Sequence, residues 1–302
     1  MSFFYHMHGL YYESDIKLYE HNDLIIQNHQ RSDVTIKLSD HFLPEFEKYK
    51  DKNFIFSNSR IKFKTEICAF LIEEGTRIYF APLKETSNYM LSAYIIGWCM
   101  CYLMYQRNKL GIHCSALSYK DQAFLVSGNS GAGKSTTAMS LAKKGYKFLT
   151  DDLAFISSDN DFIIYPALPL QKICSDKIGT IKNKENLIFI DELKGKYALI
   201  DKKSFDDSPK KVTTLFKLET SKAITKVKHD LITGFQSLSL LLDSLYMVSF
   251  FRETSFPVSV KSECLKLASK IRVINIQRPL GLDTTDEITD IIENYLEEKW
   301  QQ

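Results

Sequence analysis

Three groups of residues in this chain have the types and spacing to do chemistry together. The first is "GNSGAGKST", Gly128 to Thr136, a full match to G-x-x-x-x-G-K-[ST]. Gly128, Gly131 and Gly133 allow backbone N–H groups to curl around phosphate oxygens without Cβ clashes. Asn129, Ser130 and Ala132 fill the loop between them. Lys134 brings a point charge to the β- and γ-phosphates of a nucleotide, and the Ser135 hydroxyl can complete a Mg²⁺ shell. Thr136 closes the motif in the first turn of a helix whose positive dipole end faces the anion. The second group is the adjacent pair Asp151-Asp152, which ends "YKFLTDD". The third is His113 in "GIHCSAL".

The elements around these residues set where they can meet. "QAFLVS" before the loop reads as a strand, and "TTAMSLAKKG" after it as a helix closed by Gly145. That helix, of about 11 residues, spans about 16 Å at 1.5 Å per residue. The strand from Tyr146 to Thr150, of about 5 residues, spans about 16 Å at 3.3 Å per residue. Helix out and strand back nearly cancel, so Asp151 and Asp152 return to the phosphate end of the sheet, where open α/β sheets bind ligands. Two carboxylates there can hold a metal, accept a proton from a substrate hydroxyl, or cap a turn. "GIHCSALSYKDQAFLVSG" reads as a hairpin turning at Lys120-Asp121. Tyr119 then faces Gln122, and counting outward places His113 opposite Gly128. A slip of one residue would move His113 to the other face.

The chain has 302 residues, 44% hydrophobic and 25% charged, with a net charge of +2. That is an ordinary globular balance with no case for nucleic acid as the main partner. Six cysteines without a C-x-x-C pair read as reduced thiols of a cytoplasmic protein, not as a disulfide frame or zinc site. The uncharged stretch Asn88 to Gln106, 19 residues long, approaches transmembrane length. Polar residues dilute it, and a buried core helix is the expectation, with no membrane span.

Residues 1–87 read as a β-rich N-terminal domain, with strands in "DLIIQNH", "DVTIKLS", "NFIFSNSRIKFKT" and "ICAFLIEEGTRIYFAPL" and a hairpin tip at 73–75. Residues 88–302 form the second domain, opened by the apolar helix. Lysines crowd residues 182–212, a solvated surface by their number and the loop character around Pro209. "RVINIQRPLGLD" reads as a final strand and loop, and "DTTDEITDIIENYLEE" as a helix with capping residues at Asp283 to Thr285.

Taken together, His113, Gly128 to Thr136 and Asp151-Asp152 give a sequence that resembles the C-terminal catalytic domain of the HPr serine kinase family. "GIHCSAL…LVSGNSGAGKSTTAMSLAKKGYKFLTDDLAF" is more similar still to the HPr-kinase-like proteins encoded beside ribosomally made peptides, including lasso-peptide kinases. The resemblance is strong over about residues 111 to 156 and weak beyond 170. It implies an α/β fold of the P-loop kinase type shared by HPr kinase and phosphoenolpyruvate carboxykinase, with a small β-rich N-terminal domain. It implies ATP and Mg²⁺ as cofactors, with Lys134 and Ser135 at the nucleotide and metal. It makes Asp152 the proton acceptor for a substrate serine, Asp151 a metal or positioning group, and His113 an active-site histidine.

Two departures qualify this. The family's glutamate after the phosphate-loop serine is Thr136 here, and its downstream glycine-rich signature with a metal-binding glutamate is not recognisable in residues 165–180. These weigh against HPr itself as acceptor and against a reverse phosphorylase reaction. The family's later arginine has candidates by position only, Arg252 and Arg278. The function expected is an ATP-dependent kinase acting on a serine hydroxyl, foremost of a lasso-type precursor peptide. A small hydroxyl-bearing substrate such as free serine, an HPr-type protein acceptor, and a non-catalytic ATP-binding regulator are the alternatives. The sequence leaves the oligomeric state open.

Overall fold

The β-branched and aromatic runs of the first 82 residues pair into one sheet. The computed structural model describes residues 2–27, 31–48, 53–57, 59–174, 179, 187–191, 196–247 and 257–298. Strands β1 (Phe3–Met7), β2 (Leu10–Ser14), β3 (Val34–Leu38), β4 (Phe54–Phe56), β5 (Arg60–Lys64), β6 (Cys68–Glu73) and β7 (Arg77–Pro82) lie in the order β1-β2-β3-β7-β6-β5-β4. β6 and β7 form the expected hairpin, with Phe70 opposite Phe80 and a tip at Glu74 and Gly75, where φ is 53° and 64°. "DLIIQNH" was expected as a strand, but its turn signal folds into a 3₁₀ turn at Asn22–Leu24. Ile26 then donates a backbone hydrogen bond to Phe4 O. Residues 28–30 lie outside the described residues.

The uncharged stretch is helical and lies in this first unit. After the short α1 (Pro44–Glu47), α2 (Asn88–Tyr94) continues through a π turn (Ile95–Cys99) into α3 (Met100–Gln106). Ser87 caps its start by accepting from Met90 N, and Leu91, Ile95, Cys99 and Met100 to Met104 are buried. Gln106 and Arg107 hold the hairpin tip: Gly75 N donates to Gln106 Oε1 at 2.8 Å, and Arg107 Nη1 donates to Gly75 O at 2.9 Å. Among the described residues, no helix is long and apolar enough to cross a membrane.

The chain forms two compact units, Met1–Lys109 with Leu170–Ile200, and Leu110–Pro169 with Asp201–Gln302. The boundary expected at 87/88 falls one helix before the division at Lys109/Leu110. The returning segment of the first unit carries β14 (Leu170–Cys174), β15 (Leu187–Asp191) and β16 (Lys196–Ile200), in the order β14-β16-β15. It includes much of the lysine-rich stretch, of which Lys182, Lys184 and Lys194 lie outside the described residues.

The second unit is a mixed α/β layer. β8 (Leu110–Ile112), β9 (Cys114–Tyr119), β10 (Gln122–Gly128), β11 (Lys147–Thr150), β12 (Ala154–Ile156), β13 (Ile163–Ile164), β17 (Lys210–Ser221), β18 (Lys228–Ile232) and β19 (Arg272–Pro279) supply its strands. Its main sheet runs β11-β9-β10-β17-β19-β18, and β10, β17 and β19 are parallel. β10 is buried almost end to end, as a central strand covered on both faces must be. α4 (Lys134–Lys143), α5 (Phe235–Leu242), α6 (Val258–Ala268) and α7 (Thr285–Glu298) are its helices. Leu141 of α4 and Ile288, Ile292 and Leu296 of α7 bury against Phe124, Val126, Phe216 and Ile274 of the sheet. Each such side chain contributes about 1.5–3 kcal/mol by leaving water, which fixes the helix that begins at the glycine-rich loop.

β11 is an edge strand and needs holding. Phe148 N donates to Ser204 O at 2.7 Å, and Asp206 N donates to Phe148 O at 2.8 Å. Ser118 Oγ donates to Asp206 Oδ2 at 2.7 Å, and Lys210 Nζ lies 3.6 Å from the same oxygen. Burial pushes the Asp206 carboxyl up, but hydrogen bonds from Ser208 and Ser118 and the Lys210 charge outweigh it and hold it below the ordinary carboxylate range. A depressed folded pKa gives stability that is present above the unfolded value and lost as pH falls through the folded one. Asp206→Asn should therefore cost roughly 2 kcal/mol at neutral pH. The gap to wild type should close as the pH is taken well below about 4, the unfolded carboxylate range. Thermal melts across pH check this; a gap that stays constant to the lowest pH rules it out.

Candidate functional site

The glycine-rich loop leaves β10 at Gly128, whose φ is 152°. A Cβ there would stand 2.4 Å from Leu218 O of the neighbouring parallel strand, so glycine is required. Asn129, Ser130 and Gly131 are exposed at the top of the loop. Ala132 N donates back to Asn129 O at 3.1 Å, and Ala132 is buried. Gly133 precedes α4 with φ 104°, and a Cβ there would meet Arg278 Nη1 at 2.8 Å. Lys134, Ser135 and Thr136 form the first turn of α4 and are partly exposed. Lys134 Nζ donates to Gly128 O at 2.6 Å and to Asn129 O at 3.3 Å, which sets its charge over the loop that α4 opens.

The hairpin register is the one expected: Tyr119 faces Gln122, and the ladder runs out to Cys114 opposite Ser127. The arm does not continue straight to His113. It breaks there, and β8 leaves the main sheet to pair with β12, Ile112 opposite Ala154. The partner strand breaks at the same level. β11 pairs with β9 as far as Thr150 opposite Ala116, and β12 takes up the second sheet at Ala154. His113 and residues 151–153 are thus the crossing segments of two neighbouring chains that change sheets together. Their backbones are freed from the ladder and held otherwise. His113 N donates to Ser244 O at 2.8 Å, and Thr150 Oγ1 donates to Leu153 O at 2.8 Å.

This crossing brings the side chains together. His113 Nε2 lies 3.3 Å from Asp152 Oδ1, with the two side chains 35% and 20% exposed, so both reach solvent without being lost in it. Asp152 has φ 84°, a conformation that aspartate and asparagine tolerate better than most residues. Asp151 is held separately: Ser115 Oγ donates to its Oδ1 at 2.6 Å. Between them Cys114 is fully buried, and burial first, then the charge of Asp151, pushes its thiol well up; Lys134 and Asp152 also act on it. That buried sulfur lies within electrostatic reach of Lys134 and both carboxylates, and burial keeps it a thiol.

Sequence reasoning passed over the layer beneath. Ser127, Lys217 and Ser244 are buried side by side. Ser244 Oγ donates to Leu240 O at 2.7 Å and receives Lys217 Nζ at 3.1 Å. It is also paired with Ser127 Oγ at 2.9 Å. One hydroxyl has one proton and two lone pairs, so Ser127 must be the donor and Ser244 is saturated. The same residue's carbonyl holds His113. A lysine inside the central strand "TTLFKLE" is a signal that could have been read, because parallel inner strands rarely carry charge. Nothing in "LLDSLY" marks Ser244. Arg278, a candidate by position only, lies on the loop, with Nη1 3.5 Å from Ala132 O. Arg252 lies outside the described residues.

Among the described residues, no three His, Cys, Asp or Glu side chains group tightly enough to hold a metal by themselves. Magnesium at a nucleotide does not require that. It takes one or two protein oxygens and the phosphates, a donor set that Ser135 and Asp151 fit.

No protein-family model matches the chain. Among curated proteins it is similar to an HPr kinase/phosphorylase of Lachnoclostridium phytofermentans, 35% identical over 98 residues. Those residues are 32% of this chain and span only 30% of that protein's length. Among solved structures it is similar to the Hpr(Ser) kinase/phosphatase from Coxiella burnetii, with a TM-score of 0.34 and 12% identity over 63% of this chain and 97% of that one.

Ser244→Ala removes a saturated buried hydroxyl while leaving the carbonyl that holds His113. It should destabilise the protein by about 1–3 kcal/mol, measured by denaturant unfolding. An unchanged midpoint would show that the network carries no stability.

Proposed function

We propose that this chain is an ATP-dependent kinase that phosphorylates a serine hydroxyl. The observation that carries the reading is the 3.3 Å approach of His113 Nε2 to Asp152 Oδ1, at the strand crossing beside a glycine-rich phosphate loop. Nucleotide switches need a residue that orients water; a kinase needs a base for an alcohol, and a carboxylate steadied by an imidazole is suited to that.

The steps follow from the residues. The backbone N–H groups of Gly128 to Thr136 and the Lys134 ammonium hold the β- and γ-phosphates. Ser135 and Asp151 would hold magnesium, which when bound would supply positive charge against the phosphate oxygens. Ser115 keeps the Asp151 carboxylate in one orientation. The acceptor serine oxygen attacks the γ-phosphorus, its proton passes to Asp152, and the bond to the ADP oxygen breaks. His113, with Nε2 3.3 Å from Asp152 Oδ1, orients that carboxylate.

For the acceptor we propose a ribosomally made precursor peptide of the lasso type. The sequence pattern from Gly111 to Phe155 supports it through its likeness to kinases encoded beside such peptides. A folded protein of the HPr kind is the second reading, favoured by the 35% identity over 98 residues to an HPr kinase/phosphorylase.

Incubation with γ-labelled ATP and each acceptor class separates the readings. Label on peptide serine supports the first, label on HPr the second. Label on free serine alone sinks both, and nucleotide binding without any transfer would mark a regulator. Asp152→Asn keeps shape and tolerates the positive φ, so it should lower transfer by about 10²–10⁴-fold with nucleotide affinity retained. Full activity in that variant would exclude Asp152 as the base. Lys134→Ala should lose most nucleotide binding, read by calorimetry.

A further inference from the structure

A phosphate loop reads phosphates and leaves the base unread. The parallel strands β10, β17 and β19 end on one edge of the sheet, so the loop after β19 emerges beside the glycine-rich loop after β10. That second loop, residues 280–284, leads into α7, which shares a core with α4. Arg278 ties the two loops together. Its Nη1 lies 3.5 Å from Ala132 O, and its Nη2 donates to Leu282 O. Leu280 N donates to Ser221 O at 3.0 Å, and the chain turns at Gly281 with φ 83°. The backbone is therefore pinned at both leucines. Both residues are nonetheless 53% exposed. Two leucines held out to solvent, on a rigid loop bound to a phosphate site, form an apolar shelf where a nucleotide needs one.

We propose that Leu280 and Leu282 receive the purine base of the nucleotide whose phosphates occupy the glycine-rich loop, with Arg278 holding the shelf in register. This rests on the phosphate-loop reading above. Leucine has no hydrogen-bonding atoms, so the shelf senses the flat apolar face of the base and its size.

The test uses the full chain and two probes, MgATP and magnesium tripolyphosphate, the second carrying phosphates without a base. Wild type should bind ATP more tightly than tripolyphosphate. L280S/L282S should weaken ATP about tenfold, about 1.4 kcal/mol, and leave tripolyphosphate affinity as it was. Thermal melts check that the variant is folded, and L280S alone should give a smaller loss of the same kind. Unchanged ATP affinity in the folded double variant would overturn the proposal, as would equal weakening of both probes. If wild type fails to bind tripolyphosphate, or Lys134→Ala binds it normally, the phosphate-loop reading fails first and the shelf goes with it.

Discussion

The second unit depends on a loss of pairing. Two adjacent segments, one through His113 and one through residues 151–153, leave the main sheet at the same level and enter a smaller one. A β ladder satisfies every backbone group but points side chains alternately up and down. Where two neighbouring chains cross between sheets, that alternation lapses, and residues close in space can face one another. His113 and Asp152 do so. The freed backbone has to be satisfied elsewhere, and the burden falls on Ser244, whose carbonyl takes the His113 N–H.

This explains what was legible in the sequence. The register from Tyr119 to Ser127 followed from one turn and a period of two. The return of Asp151 and Asp152 to the loop end followed from two rises per residue. Both are local arithmetic. The crossing was not legible, because the acceptor that satisfies the freed His113 N–H, the Ser244 carbonyl, lies far along the chain. "DLIIQNH" misled for the opposite reason: apolar, branched residues favour a strand, but a local contact, Asp23 N to His21 Nδ1, goes with a 3₁₀ turn at Asn22–Leu24. The charge of Lys217 inside an apolar strand was a signal, and it pointed to a buried network.

The glycine-rich loop shows a second constraint. Gly128 is pressed against the backbone of the next strand, and Gly133 against a guanidinium from the strand beyond. The loop's shape is therefore set by neighbours on the sheet as well as by its own glycines. A motif read along the chain describes the binding surface; the pressure that keeps it open comes from side and backbone atoms the motif does not contain.

The connection at residues 169 to 201 bears on how the protein is made. The chain leaves the second unit at Pro169 and returns at Asp201, whose N–H meets Pro169 O at 3.1 Å. The first unit is thus complete only when Ile200 has been synthesised, after the glycine-rich loop has already emerged. Neither unit can finish on the ribosome before the other has begun. A protease cut between Lys109 and Leu110 would leave the first fragment without β14, β15 and β16 of its own unit, while the second fragment would carry every strand of its unit and those three besides.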